Sequence, residues 1–247
     1  MNLLAFDTST EVMSVAVQRT VGGGHRVWQH SAAGGAQTST HLIPVIQRLM
    51  TQAGLQFGQL DAIAFGCGPG SFTGLRTACA VAQGLAFGVK IKILPINTLL
   101  IVAEEARYQQ AATLDACQVV TLLDARMDEM YLGRYVFNSG HWSQIVDCSL
   151  IRPEDLVFDA DWTLAGNVFA AYGERLPAPC ARSGTPALPL ACPQRVQALP
   201  TASAMLRLAP ALLAAGGAVS AELALPLYIR DKVAKTTAER AAEKAAL

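Results

Sequence analysis

A buried run, an aspartate, a polar turn and a second strand occur twice in this chain. Leu3–Phe6 ends in Asp7 and is followed by the β-branched run Met13–Gln18. Val119–Leu123 ends in Asp124 and is followed by Met130–Phe137. Setting Asp7 on Asp124 also sets Glu11 on Asp128 and Met13 on Met130. Two strand–Asp–turn–strand units predict a duplicated α/β domain with a cleft between its halves. Chance is the competing reading, because a buried strand ending in Asp is common.

The other elements follow from periodicity and turn chemistry. Arg26–His30 reads as a third strand after the Gly22–Gly24 turn. Leu42–Ala53 has apolar residues at helical spacing, with Ser39 or Thr40 as N-cap and Pro44 near the first turn or at a kink. Ala62–Phe65 is predicted as a strand, Phe72–Phe87 as a helix and Ile91–Ile96 as a strand. Asn97 or Thr98 caps a helix running to about Tyr108. The pattern lapses at Ala111–Ala116, so residues 1–110 are expected as one unit, 111–231 as a smaller α/β unit and 232–247 as a solvated tail. Pro177–Pro200 reads as a long surface loop, and Ala204–Ala215 as an apolar helix bent at Pro210.

Composition narrows the function. Apolar residues make up 52% of 247 and charged residues 15%, which excludes disorder along the whole length. Nineteen basic residues balance nineteen acidic ones, against a protein that grips nucleic acid unaided. The opening segment lacks a basic flank and is not expected to be a signal peptide. Leu208–Ala221 is too short to span a bilayer. Cysteines 67, 79, 117, 148, 180 and 192 form no C-x-x-C pair and read as free thiols of a reducing cytosol, so a cytoplasmic, membrane-free protein is expected.

The densest motif is Gly66-Cys67-Gly68-Pro69-Gly70-Ser71-Phe72-Thr73-Gly74-Leu75-Arg76, between a strand and a helix. It lacks the third glycine and downstream acid of a dinucleotide fingerprint and the lysine of a Walker A loop. A tight turn is the simpler reading, and an anion seat at the helix N-terminus the other. Along the helix, Gly74, Ala78, Ala82 and Ala86 form an i, i+4 row, with Thr77, Ala80, Gly84 and Gly88 alongside. Small side chains admit a close neighbour, either this chain's own sheet or a partner helix. The histidines 25, 30, 41 and 141 make no H-x-x-x-H pair, and no serine sits in a G-x-S-x-G elbow, so no catalytic and no metal residues are assigned. Asp7 and Asp124 read first as turn formers bonding their own backbone. In a second reading, Asp7, Thr8, Ser9 and Asp124 would hold a nucleotide and its magnesium in the cleft.

The segments Asp7-Thr8-Ser9-Thr10, His41-Leu42-Ile43-Pro44, Gly68–Arg76, Ala82–Ala86, Asp124–Tyr131 and Pro226-Leu227-Tyr228-Ile229-Arg230 resemble the TsaB family, also called YeaZ. The resemblance runs from Asp7 to about Lys235. It implies an actin/Hsp70-like fold of two RNase-H-like domains in tandem. It also implies a non-catalytic subunit for threonylcarbamoyladenosine formation in tRNA: a partner of the metal-holding TsaD, joined by the ATPase TsaE, meeting tRNA only through the complex. The implied partner surface lies on the two N-terminal helices, placed at Leu42, Ile46, Leu49, Phe72, Gly74, Leu75, Ala78 and Ala82. The isolated chain would form a homodimer there. No cofactor of its own is implied, beyond a nucleotide at the subunit interface. An ATP-using enzyme of the same fold and a glycoprotease-like peptidase are the alternatives.

Overall fold

The computed structural model describes residues 1–110, 115–179 and 194–230. The expected tail from 232, most of the expected 177–200 loop, Cys180 and Cys192 lie outside the described residues.

The first sheet has the order β3-β2-β1-β4-β5, with β1 Leu3–Asp7 at its centre. β2 Val12–Val21 and β3 Gly24–Ala33 run antiparallel on one side; β4 Ala62–Gly68 and β5 Lys92–Asn97 run parallel on the other. β1 is buried along its length because both faces are covered, as its unbroken apolar run requires. Leu4 and Phe6 face helices α1 Thr38–Ala53 and α2 Phe72–Val89. Leu3 and Ala5 face α5 Ala202–Ala214. α1 begins earlier than its apolar spacing predicts and carries Pro44 inside it.

The second sheet repeats the order. β6 Ala116–Arg126 is central, β7 Glu129–Asn138 and β8 His141–Ile151 run antiparallel to one side, and β9 Thr163–Gly166 and β10 Arg195–Gln197 run parallel on the other. The duplicated opening is therefore present in topology, but the register slips by one. Asp7 pairs with Ser14 whereas Asp124 pairs with Met130, because the β6–β7 pair is irregular between Asp124 and Arg126. The one-turn helix α4 Phe169–Tyr172 follows β9, and β10 lies in the segment expected as loop.

Packing does not follow the expected division at 110. α3 Thr98–Gln110 sends Leu99, Val102 and Ala106 against Val119, Leu123 and Tyr135 of the second sheet. From the other side, α5 returns with Ala202, Met205 and Ala209 to the first sheet. Each half thus supplies a helix that the other needs. Glu104 of α3 holds the two helices together: its carboxylate accepts from Arg107, from Arg207 of α5 at 2.7 Å and from Trp142 of β8 at 3.1 Å. Burial would raise its pKa, but these donors together hold it below the usual value.

Candidate functional site

A cleft of about 540 Å³ opens where the first-strand turns of the two sheets face each other. Ser9, Thr10 and Glu11 line one wall, Asp124, Arg126 and Met127 the other, and Gly70–Phe72 the floor. The far side is closed by the segment after α5. There the Leu227 N–H donates to the Cys67 carbonyl at 2.7 Å, and Tyr228 stacks on Phe72 with ring centroids 5.4 Å apart. Arg230 crosses to the second sheet, donating to Glu129 at 2.6 Å and to the Ala125 carbonyl at 3.1 Å. The Pro226–Arg230 motif is thus a strap joining the halves.

Asp7 does not reach the cleft. It is fully buried; its Oδ1 accepts from the Ser9 N–H at 2.9 Å and the Ser9 hydroxyl at 2.8 Å, while Oδ2 has no partner. Burial pushes its carboxyl up to about 6 against the pull of the Ser9 bonds. Thr8 is buried too, donating its hydroxyl to the Gly74 carbonyl at 2.7 Å. Of the expected nucleotide residues, only Ser9 and Asp124 line the cleft. Asp124 Oδ1 accepts from the Arg126 N–H at 2.8 Å and the Tyr172 hydroxyl at 3.1 Å, so it too secures its own turn. Asp7 and Thr8 are therefore corrected from ligand-binding to structural positions, because burial leaves them nothing to touch but their own chain. Among the described residues, no group of three His, Cys, Asp or Glu is placed to hold a metal.

The glycine spacing has a structural cause. A Cβ on Gly66 would stand 1.8 Å from Asp7 Oδ2, one on Gly70 2.6 Å from the Ser9 carbonyl oxygen, and one on Gly74 1.8 Å from the Thr8 carbonyl oxygen. Each residue of the Asp7-Thr8-Ser9 turn rests on one glycine, and the Ser71 N–H donates to Ser9 at 2.7 Å. Of the two readings of this loop, the close-approach one accounts for these glycines.

Comparison with known proteins places this architecture. A family model described as TsaD: tRNA N6-adenosine threonylcarbamoyltransferase matches residues 30–238. The tRNA threonylcarbamoyladenosine biosynthesis protein TsaB of Escherichia coli is 31% identical over 240 residues, 95% of this chain and 96% of that protein. Its Haemophilus influenzae counterpart is 32% identical over 94% of this chain and 95% of its own length. The chain belongs to the TsaB family. YeaZ from Pseudomonas aeruginosa superposes with a TM-score of 0.77 at 37% identity, covering 92% of this chain and 99% of that one.

The partner surface that the TsaB resemblance implies needs correction. Leu42, Ile46, Leu49, Gly74, Leu75, Ala78 and Ala82 are all buried in this chain's own core, and of the eight expected residues only Phe72 is exposed. The Gly74–Ala86 row is small so that α2 can lie close on β4 and on the Thr8 turn. Sealed inside the protomer, that row bears on packing and not on whether the chain is catalytic. The outward row is the other one: Arg76, Ala80, Gly84 and Gly88 are exposed, with Thr77 beside them and Phe87 79% exposed. On α1 the outward residues are His41, Ile43, Pro44, Gln47, Arg48 and Thr51. The Pro226–Arg230 motif and the Thr77, Ala80, Gly84 and Gly88 row are both visible in the sequence; that the one is a strap and the other the outward face is what sequence reasoning missed.

Proposed function

We propose that this chain is the non-catalytic subunit of the assembly that forms threonylcarbamoyladenosine next to the anticodon of tRNAs reading codons that begin with A. In this reading it works in the cytoplasm and binds and activates TsaD through the outward faces of α1 and α2. TsaE joins the pair with ATP, and tRNA is met only through the complex. The two sheets are read as tandem RNase-H-like halves of an actin/Hsp70-like fold.

The observation that carries the reading is the outward row of α2. Among the described residues, nothing lies within 4 Å of where a Cβ would stand on Gly84 or Gly88. A glycine inside a helix costs about 1 kcal/mol relative to alanine, and none of the described residues uses the space those two leave. A close-approaching helix from another chain would use it. Two helices of this length suffice for an interface of about 1,600 Å² in total. The cleft supports the same reading from the other side, since Asp7 and Asp124 are engaged in holding their own turns.

The test is reconstitution of tRNA modification from purified TsaD, TsaE, ATP, threonine, bicarbonate, the enzyme that makes the threonylcarbamoyl donor, and tRNA, with and without this chain. Product is expected only when the chain is present, and Gly84→Leu, folded by circular dichroism, is expected to lose both TsaD binding and product. Full modification without the chain overturns the reading.

A further inference from the structure

The outward faces of α1 and α2 carry an uneven charge. Neither helix contains an aspartate or a glutamate, and their charged side chains are Arg48 on α1 and Arg76 on α2, both exposed. In a chain whose basic and acidic residues balance, this makes the face cationic.

Arg76 is also held in place. Its guanidinium lies 3.8 Å from the centre of the Phe72 ring, one helical turn earlier. Its Nε donates to the Tyr228 hydroxyl at 3.0 Å, and Tyr228 stacks on Phe72. One N–H and one face of the guanidinium are thereby used within the chain. The Nη fork points to no acidic partner among the described residues. A guanidinium so fixed has already lost much of its rotamer freedom, and its fork matches a carboxylate in bidentate geometry.

We infer that Arg76, positioned by Phe72 and Tyr228, is the charge anchor of the α1–α2 face and takes a carboxylate of the partner protein, whose docking surface is acidic. This rests on the reading of that face as the TsaD-binding surface and names the chemistry the partner must present. A second copy of this chain fits poorly. An isologous dimer through these two helices offers Arg76 and Arg48 no carboxylate from either helix, so self-association is disfavoured relative to the heterodimer. Tyr228 is a positioning residue, because it acts through Arg76.

The two associations respond to salt in opposite directions. Raising NaCl from about 50 to about 500 mM screens exposed charges. It is expected to weaken binding of purified TsaD and to strengthen homodimerisation, read by titration calorimetry and by analytical ultracentrifugation. Arg76→Glu is expected to weaken TsaD binding by more than about tenfold, with Arg48→Glu adding to the loss. Arg76→Lys, which keeps charge but loses the fork, is expected to fall between. Tyr228→Phe is expected to lose a few-fold in affinity with the salt dependence kept. Each variant's melting curve is compared with the wild type's to verify folding. If the wild type binds no TsaD, the underlying reading falls and this inference with it. If Gly84→Leu abolishes binding while Arg76→Glu binds as tightly as the wild type, this inference alone is overturned. A loss of tRNA affinity with unaltered TsaD affinity in Arg76→Glu overturns it as well.

Discussion

Single atoms decide the roles of the glycines and of Asp7. Gly74 and Gly84 lie in one helix, yet a methyl group at the first would strike the Thr8 carbonyl oxygen while at the second it would meet open space. Gly74→Ala is expected to destabilise the chain by about 2–3 kcal/mol or more, because backbone must move. Gly84→Ala is expected to stabilise it by up to about 1 kcal/mol. Urea denaturation of the two variants checks both signs. Asp7 has a folded pKa of about 6 against an ordinary 3.8, so between those values the folded chain binds more protons than the unfolded one. Stability is then expected to fall as pH rises from about 4 to about 6, by an amount on the order of 3 kcal/mol from this group. Asp7→Asn should lack this component, so the wild-type-minus-variant difference in unfolding free energy, measured across that range, should decline with rising pH. A flat difference would show that Asp7 is not the buried acid described here.

At the level of elements, α2 shows what patterning leaves undecided. Its two rows, Gly74–Ala86 and Arg76–Gly88, are offset by two positions, about 200° around the helix, so one faces in and the other out. Ala and Gly serve either a tight internal fit or a close external approach, and periodicity does not distinguish them. The inward row was settled by β4, which precedes α2 in the chain, and by the Thr8 turn, which meets Gly74 from 66 positions away. β8 went unrecognised for a related reason: it is an outer strand, mostly exposed, without the alternation that marks a half-buried one. The strap carried no periodic signal, since its work is done by main-chain and terminal groups. Arg230→Ala is expected to release the turn between β6 and β7. Amide exchange should rise at Ala125–Glu129 and stay unchanged in α1, where Arg230 makes no contact; protection retained at 125–129 would mean that the strap does not hold the turn.

For the molecule as a whole, the exchange of α3 and α5 couples the two sheets. A chain ended after residue 198 would strip α5 from the first sheet and uncover Leu3, Ala5, Ala64 and Leu94. Residues 1–110 alone would, in addition, leave α3 without the second sheet. Neither fragment is expected to unfold cooperatively; a sigmoidal thermal transition with native-like near-ultraviolet circular dichroism from 1–110 would contradict this.

The local pattern of residues was enough to place most strands and helices of the first half, the doubled opening and the two turns that frame the cleft, because burial of a continuous apolar run and helical spacing are properties of neighbours along the chain. Which face of α2 is sealed, that Asp7 is shut behind the cleft, and that each half lends the other a helix were decided by tertiary packing. These depend on distances between residues tens to hundreds of positions apart, and a steric contact such as Gly74 against Thr8 exists only once both segments are in place.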